Sequence, residues 1–388
     1  MLRIGIEGGL EHWRIDHERL PETAAFVAGV IRDQYPSLAV PFHARWRHFA
    51  VDGVDLWGPA AEARAWPDGD ARARTAFDLA IVSVLLDAGS GPGWSYLDAG
   101  TGRRLTRSEG LAIASLRMFK AGAFSSRPAD PWRVDAAALR TLSADALAGG
   151  FQVSDANPLA GLEGRAALLR RLGDRAAERP DLFARADDAR PGGLYDAMKA
   201  RAVDGRLPAP VILEVLLEAL GPVWQDRLRL GGVDLGDTWR HPAIRRGDAT
   251  DGLVPIHKLS QWLSYSLVEP LQEAGVEITD LDGLTGLAEY RNGGLFMDME
   301  VLTLRDPADA GRAWPVSDPL VVGLRSMTVA LLDQVAPLVR AELGVSADGM
   351  PLASVLEGGT WAAGRRIAAR RREGGGPPLN ILSDGTVF

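Results

Sequence analysis

The sequence predicts a mainly α fold with a few short strands, and three observations carry that prediction. Apolar residues recur at intervals of three and four in one segment after another. Clusters of Gly, Pro and Asp, which stop helices, separate those segments. No strand alternates with helix as a doubly wound sheet would need, and no repeat of fixed period is visible.

In chain order the predicted helices are 21–34, 76–86, 108–119, 135–147, 161–172, 194–202, 210–220, 256–273, 318–343 and 362–372. In 256–273, Leu259, Trp262, Leu263, Ser266 and Leu267 share one face, while His257, Lys258 and Gln261 occupy the opening turn and Pro255 suits its start. Ahead of the last helix, Glu357 to Arg365 reads as a turn entering it, with Thr360 as N-cap. The helix closes on a basic run at 370–372, which suits its dipole, followed by glycines. Extended pieces near 42–51, 277–281 and 301–304 are expected to form a small sheet. The polar stretch 179–190 reads as an exposed connection, a soft boundary near 190 between an N-terminal helical lobe (1–190) and a C-terminal lobe (191–388) of one catalytic unit.

Composition bounds the function. A chain of 388 residues, 46% hydrophobic and 24% charged, has the make-up of a globular enzyme. Its net charge of −8 disfavours nucleic acid and anionic lipid, so an anionic substrate would need a local basic pocket. The absence of cysteine excludes disulfides and a thiolate nucleophile. The start MLRIGIEGGLEHW is too polar for a signal peptide, and no run of eighteen apolar residues occurs, so a cytoplasmic location without membrane association is expected.

Ionisable residues are densest in 251–300, which holds His257, Lys258, Asp280, Asp282, Glu289, Tyr290 and Arg291. A brief alternation over 276–283 ends in turn chemistry and would deliver Asp280 and Asp282 to the mouth of whatever the preceding helix lines. In Tyr290-Arg291-Asn292-Gly293-Gly294 the two glycines admit positive φ and a close approach of backbone to a ligand. A second constellation, Phe42 to Phe49, interleaves His43, Arg45, Arg47 and His48 with aromatic residues. As an extended strand it would set His43, Arg45 and Arg47 on one face, where arginine forks could hold a phosphate, with His257 and Lys258 as alternative partners. The Gly-rich stretch after Asp87 lacks a nucleotide-binding pattern; its Trp94 and Tyr96 would cover a small planar group or cap the core. The six histidines form no HExxH motif. No metal or other cofactor is required, although a divalent ion held by distant His and carboxylate side chains stays open.

Several long, ordered blocks identify a family: PFHARWRHF at 41–49, VSVLLDAGSGPGWSY at 82–96, RSEGLAIASLRMF at 107–119, GFQVSDANPLAGLEGR at 150–165, VLEGGTWAAGRRIA at 355–368 and ILSDGTVF at 381–388. Through them the chain resembles the fungal and bacterial uracil-catabolism protein four family. The resemblance implies a pathway that makes a nucleotide of uracil, opens its ring and frees urea. It implies for this chain the cleavage of a ribosylurea 5-phosphate to urea and ribose 5-phosphate, with a small phosphorylated ribosyl substrate as partner. The segment Asp280 to Arg291 is also similar to part of the queuosine-salvage nucleosidases, which implies a large helical enzyme on a DNA-glycosylase-like scaffold.

On that reading Asp280 or Asp282 stabilises the oxocarbenium charge and orients water, while Glu289 is the other acid/base or fixes Arg291; the sequence does not rank the three. Without the resemblance, Asp282-Gly283 is a common turn pair and Glu289 with Arg291 a loop ion pair. His43, Arg45, Arg47, His48, Trp94, Tyr96, His257, Lys258, Gln261, Trp262, Tyr290, Arg291 and Asn292 make up the expected substrate-binding set. An amidohydrolase-like cleavage of the ureide and a non-catalytic scaffold are the alternatives. The chain departs from the family pattern in three places: Ile256 replaces Phe, Gly323-Leu324 replaces an acid and Trp ahead of Arg325, and Trp314 replaces His. The start is also shorter than the pattern, as if a capping helix were missing. The oligomeric state is not legible.

Overall fold

A computed structural model of the chain describes residues 1–185, 188–225 and 227–382. Positions 186 and 187 of the 179–190 connection and 383–388 of the ILSDGTVF block lie outside the described residues. About 53% of the chain is helical, and the strands are two or three residues long, so the fold is mainly α. The longer helices are α1 (Leu20–Gln34), α2 (Gly69–Leu85), α3 (Arg107–Lys120), α4 (Leu162–Glu178), α5 (Ala209–Leu220), α6 (Lys258–Glu273), α7 (Tyr290–Asp298), α8 (Pro319–Leu343) and α9 (Ala362–Arg371).

Helix ends differ from expectation where a local bond overrides periodicity. Asp68 accepts the N–H of Ala71 and starts α2 a turn and more before the apolar run begins. The expected helix 135–147 is two helices, Ala136–Arg140 and Ala144–Gly150, because Ser143 caps the second by accepting the N–H of Ala146. The extended pieces form no common sheet. Residues Arg45–Phe49 make a 3-10 turn instead of a strand, Glu277–Thr279 pairs in parallel with Arg206–Pro208, and Leu302–Leu304 pairs with Trp13–Ile15.

The chain forms two compact, interleaved units, and the 179–190 connection lies inside the second. The first comprises Met1–His43, Arg227–Gln261 and Leu281–Leu382. Its frame is α8 packed along α1, with α7 against α8 and α9. Asp318 caps α8 at Leu320 N–H, and Gly344, at φ 71, closes it in the left-handed conformation that glycine adopts without strain. Helix α8 has the length and hydropathy of a membrane span, yet two thirds of its most apolar eighteen-residue stretch is buried inside the protein and the buried Arg325 sits within the helix, so it serves as a core helix. At Gly323 the Trp13 ring lies 3.1 Å from where a Cβ would stand, which explains why this position holds no larger side chain.

The second unit comprises Ala44–Asp226 and Trp262–Asp280. Helix α2 is its centre, buried almost all round and packed on α3 and α4. The Gly-rich stretch after α2 is tied down by Arg165, whose guanidinium donates to the carbonyls of Leu86, Ala88, Gly89 and Ala160. That buried arginine replaces the hydrogen bonds a loop of glycines would otherwise leave unmade.

Candidate functional site

The first unit gathers buried ionisable groups at the start of α7. Glu289 is the N-cap: its two oxygens accept the N–H groups of Arg291 (2.9 Å) and Asn292 (2.6 Å). The helix was not expected, since Gly293 and Gly294 read as a loop. Neither glycine has a positive φ. Their smallness serves packing instead: a Cβ at Gly293 would meet Thr328 Oγ1 at 2.9 Å, and one at Gly294 would meet Pro378 at 3.2 Å. Burial pushes the Glu289 carboxyl above its ordinary pKa, and the two N–H groups with the charges of Lys258 and His43 pull it down without cancelling that rise. Asn292 donates to Leu287 O, and its buried Oδ1 has no hydrogen-bond partner among the described residues. Arg291 turns away from Glu289: its guanidinium donates to Gly375 O and lies over the Tyr290 ring at 4.7 Å.

A second carboxylate comes from an element read as a simple turn. Residues Val355–Trp361 form a π-helical turn that runs straight into α9, and Thr360 lies inside it, buried, its hydroxyl without a partner among the described residues, instead of capping the helix. Such turns recur at functional sites because they displace side chains from regular helical positions. Here Glu357 Oε2 meets His43 Nδ1 at 2.6 Å, and the His43 ring packs on Trp361 at 5.8 Å. Glycines permit the approach: a Cβ at Gly359 would stand 2.8 Å from Val27, and one at Gly364 would stand 2.3 Å from the Arg291 carbonyl. The π turn and α9 thereby press against the start of α7, with Glu289, Asn292, Glu357 and Thr360 on adjoining elements.

Lys258 and His257 are placed by a buried knot. Asp237 receives Arg325 through two bonds of 2.8 Å, Trp239 Nε1 at 2.6 Å and the Lys258 N–H at 2.9 Å, while its carbonyl accepts the N–H groups of Ile256 and His257. Burial raises the Asp237 pKa, but Arg325 and these donors more than reverse that and hold it low. His257 is thereby kept at φ 51, a conformation a non-glycine residue rarely adopts, and its buried Nδ1 has no hydrogen-bond partner among the described residues. Burial also lowers its pKa against the pull of Asp237, which favours the neutral ring. Gln261, one turn on, accepts the Thr285 N–H.

The remaining expected site residues lie elsewhere. Asp282, exposed, binds Arg340 (2.5 Å) and the Leu352 N–H (2.6 Å). Asp280, in the second unit, ends the strand Glu277–Thr279 at the surface with φ 53. Also in that unit, Arg45 is buried and bonded to Ser83 Oγ and Ser108 O, faces Asp87 at 3.3 Å and lies over the Trp262 ring. Arg47 forks onto Glu269, and the His48 ring meets Trp262 edge-on. The 3-10 turn therefore spreads these side chains over different internal partners, where a strand would have set His43, Arg45 and Arg47 on one face. Trp94 donates to Phe151 O within the core, and Tyr96 is buried in a strand pair with Leu105 opposite. Sequence reasoning missed Glu357, Asp237 and Arg325 as parts of a site. The paired glycines after Glu357 were the available signal for the first; no local spacing marks the other two. Among the described residues no three His, Asp or Glu side chains gather as metal ligands.

Fold and site define a mainly α protein in which a buried carboxyl, Glu289, and a buried histidine, His43, are accompanied by the half-buried Glu357 and Lys258. Residues 1–388 match the family model described as "Protein of unknown function (DUF1688)", and the chain belongs to that family. It is 39% identical over 390 aligned positions to the protein named urg3 of Schizosaccharomyces pombe, covering 98% of this chain and 92% of that one. It is 35% identical over 419 positions to Uracil catabolism protein 4 of Lachancea kluyveri, covering 98% and 93%. The family expected from the sequence blocks is thus the family found.

Proposed function

We propose that this protein is an enzyme of uracil catabolism that hydrolyses the N-glycosidic bond of a ribosylurea 5-phosphate-like intermediate, on a scaffold of the DNA-glycosylase-like kind. The observation that carries the reading is Glu289, a buried carboxyl held above its ordinary pKa beside Lys258 and His43, with Glu357 bonded to that same histidine. N-glycosidic cleavage needs a carboxyl that can give a proton to the leaving nitrogen, and burial suits Glu289 to that part by raising its pKa.

In the proposed reaction the C1–N bond breaks as Glu289 gives its proton to the departing ureido nitrogen. Cationic charge on the sugar is opposed by the Glu357 carboxylate. Water adds its oxygen to C1 and loses a proton to the Glu357–His43 pair, which returns it to Glu289 through solvent. The products are urea and a reducing sugar phosphate. His257 and Lys258, fixed by the Asp237–Arg325 knot, position the substrate. Asp282 stands outside this scheme because both its oxygens are engaged by Arg340 and Leu352.

The test is to incubate the purified protein with ribosylurea 5-phosphate and quantify urea, reducing sugar and ammonia together. Equimolar urea and ribose 5-phosphate are expected. Ammonia without sugar release would refute glycosidic cleavage and favour an amide-cleaving enzyme.

A further inference from the structure

Asn292 is tied to Glu289 at both ends. Its N–H reaches Glu289 Oε1 at 2.6 Å, and its side chain folds back over the start of α7, as side chains at the third helical position can. There Nδ2 donates to Leu287 O at 3.1 Å, the same carbonyl that accepts the Glu289 N–H at 2.9 Å. Sharing one acceptor keeps the Asn292 amide and the Glu289 backbone within a few ångströms of one another. The Leu287 bond also fixes which way the amide faces, because turning it over would set two carbonyl oxygens against each other. Oδ1 is therefore an acceptor of fixed direction beside the acid. Asn292 is fully buried, and this oxygen has no hydrogen-bond partner among the described residues. A buried carbonyl oxygen left in that state is costly, and a donor that arrives with a ligand removes the cost.

We propose that Asn292 Oδ1 accepts an N–H of the terminal amino group of the substrate's ureido moiety, and so makes the protein specific for an unsubstituted urea as leaving group. The ureido moiety suits this corner of the site. Its glycosidic nitrogen is the atom that Glu289 protonates, and its terminal amino group, two bonds further on, carries two N–H donors that lose water on burial. Both oxygens of Glu289 already accept backbone N–H groups, so the acceptor for that amino group falls to Asn292. This inference rests on the proposed glycosidase reading for the substrate's identity, but its test separates the two.

The full-length protein is given ribosylurea 5-phosphate and, separately, its analogue with both terminal N–H hydrogens replaced by methyl groups. Wild type is expected to prefer the parent compound by about tenfold to a hundredfold in kcat/KM, read as release of urea or dimethylurea. Asn292→Leu, close to asparagine in size but without the acceptor, should lose that preference by acting mainly on the parent compound. Asn292→Asp, which keeps an oxygen there, should retain most of it. Asn292→Ala is read in the same way should Asn292→Leu not fold. Equal handling of the two compounds by wild type, or an equal loss on both in Asn292→Leu, would overturn the assignment and leave Asn292 a structural residue of the helix start. If neither compound is cleaved, calorimetric titration of the same proteins reads the preference as a ratio of Kd values. An Asn292-dependent preference would then mean that the glycosidase reading fails and the ureido contact stands; no preference would overturn the contact as well.

Discussion

Asp282 and Glu289 lie seven positions apart in the same acidic segment, yet the fold gives them opposite surroundings. Asp282 is at the surface, its two oxygens joining Arg340 to the backbone of Leu352, and this ties the loop after α8 to the segment before α7. Glu289 is buried at a helix start, bonded to two backbone N–H groups and held above its ordinary pKa. An exposed, paired carboxylate anchors structure; a buried one whose pKa is raised is suited to acid–base work. The density of charge that drew attention to both residues could not tell these roles apart.

The largest effect expected from this contrast is on turnover. Glu289→Gln should lower kcat by about 10²–10⁴, the usual contribution of a positioned acid or base, and Glu357→Gln by a similar amount, both measured by urea release. Disrupting the packing that assembles the pair should act next. In Gly364→Ala the new Cβ would stand 2.3 Å from the Arg291 carbonyl. Overpacking of about 1–3 kcal/mol should exceed the gain in helix propensity of up to about 1 kcal/mol, so urea-induced unfolding should show net destabilisation together with lost activity. Asp282→Ala should show the reverse balance, a destabilisation of about 1 kcal/mol, limited by solvent screening, with kcat within a few-fold of wild type.

The smallest effect is a pH dependence. Because the folded state raises the Glu289 pKa, the folded protein holds the proton more firmly than the unfolded chain. The Glu289 contribution should therefore be neutral to stability at low pH. It should become unfavourable as pH rises from the unfolded carboxyl pKa through the raised folded value. The stability of wild type relative to Glu289→Gln should fall across that window, as read by denaturant melts at successive pH values. A flat difference would mean that the two backbone N–H groups, Lys258 and His43 cancel the effect of burial.

Much of the fold was legible because periodicity and breakers act locally. Helices α1, α3, α5 and α8 begin and end within two residues of expectation. The failures have local causes too: Asp68 and Ser143 set helix starts that hydrophobic spacing does not register, and Gly293-Gly294 sits in a helix because Thr328 and Pro378 leave room for nothing larger. Of the candidate site, part was visible in the sequence. Glu289, His43, Lys258 and His257 stood among the expected residues, while Glu357 was hidden in a π turn and the Asp237–Arg325 knot joins residues 88 positions apart. Arg45 was expected on a phosphate-binding strand face, and its burial against Ser83, Asp87 and Ser108 was not legible because those partners lie on other helices and loops.

The most direct test of the central claim compares the two carboxylates in one assay, measuring release of urea and reducing sugar from ribosylurea 5-phosphate by wild type, Glu289→Gln and Asp282→Asn, each first shown to be folded. The account predicts equimolar products from wild type, a loss of at least a hundredfold in Glu289→Gln, and near-wild-type rates in Asp282→Asn. Full activity in Glu289→Gln with loss in Asp282→Asn would contradict it and return the chemistry to the surface carboxylate.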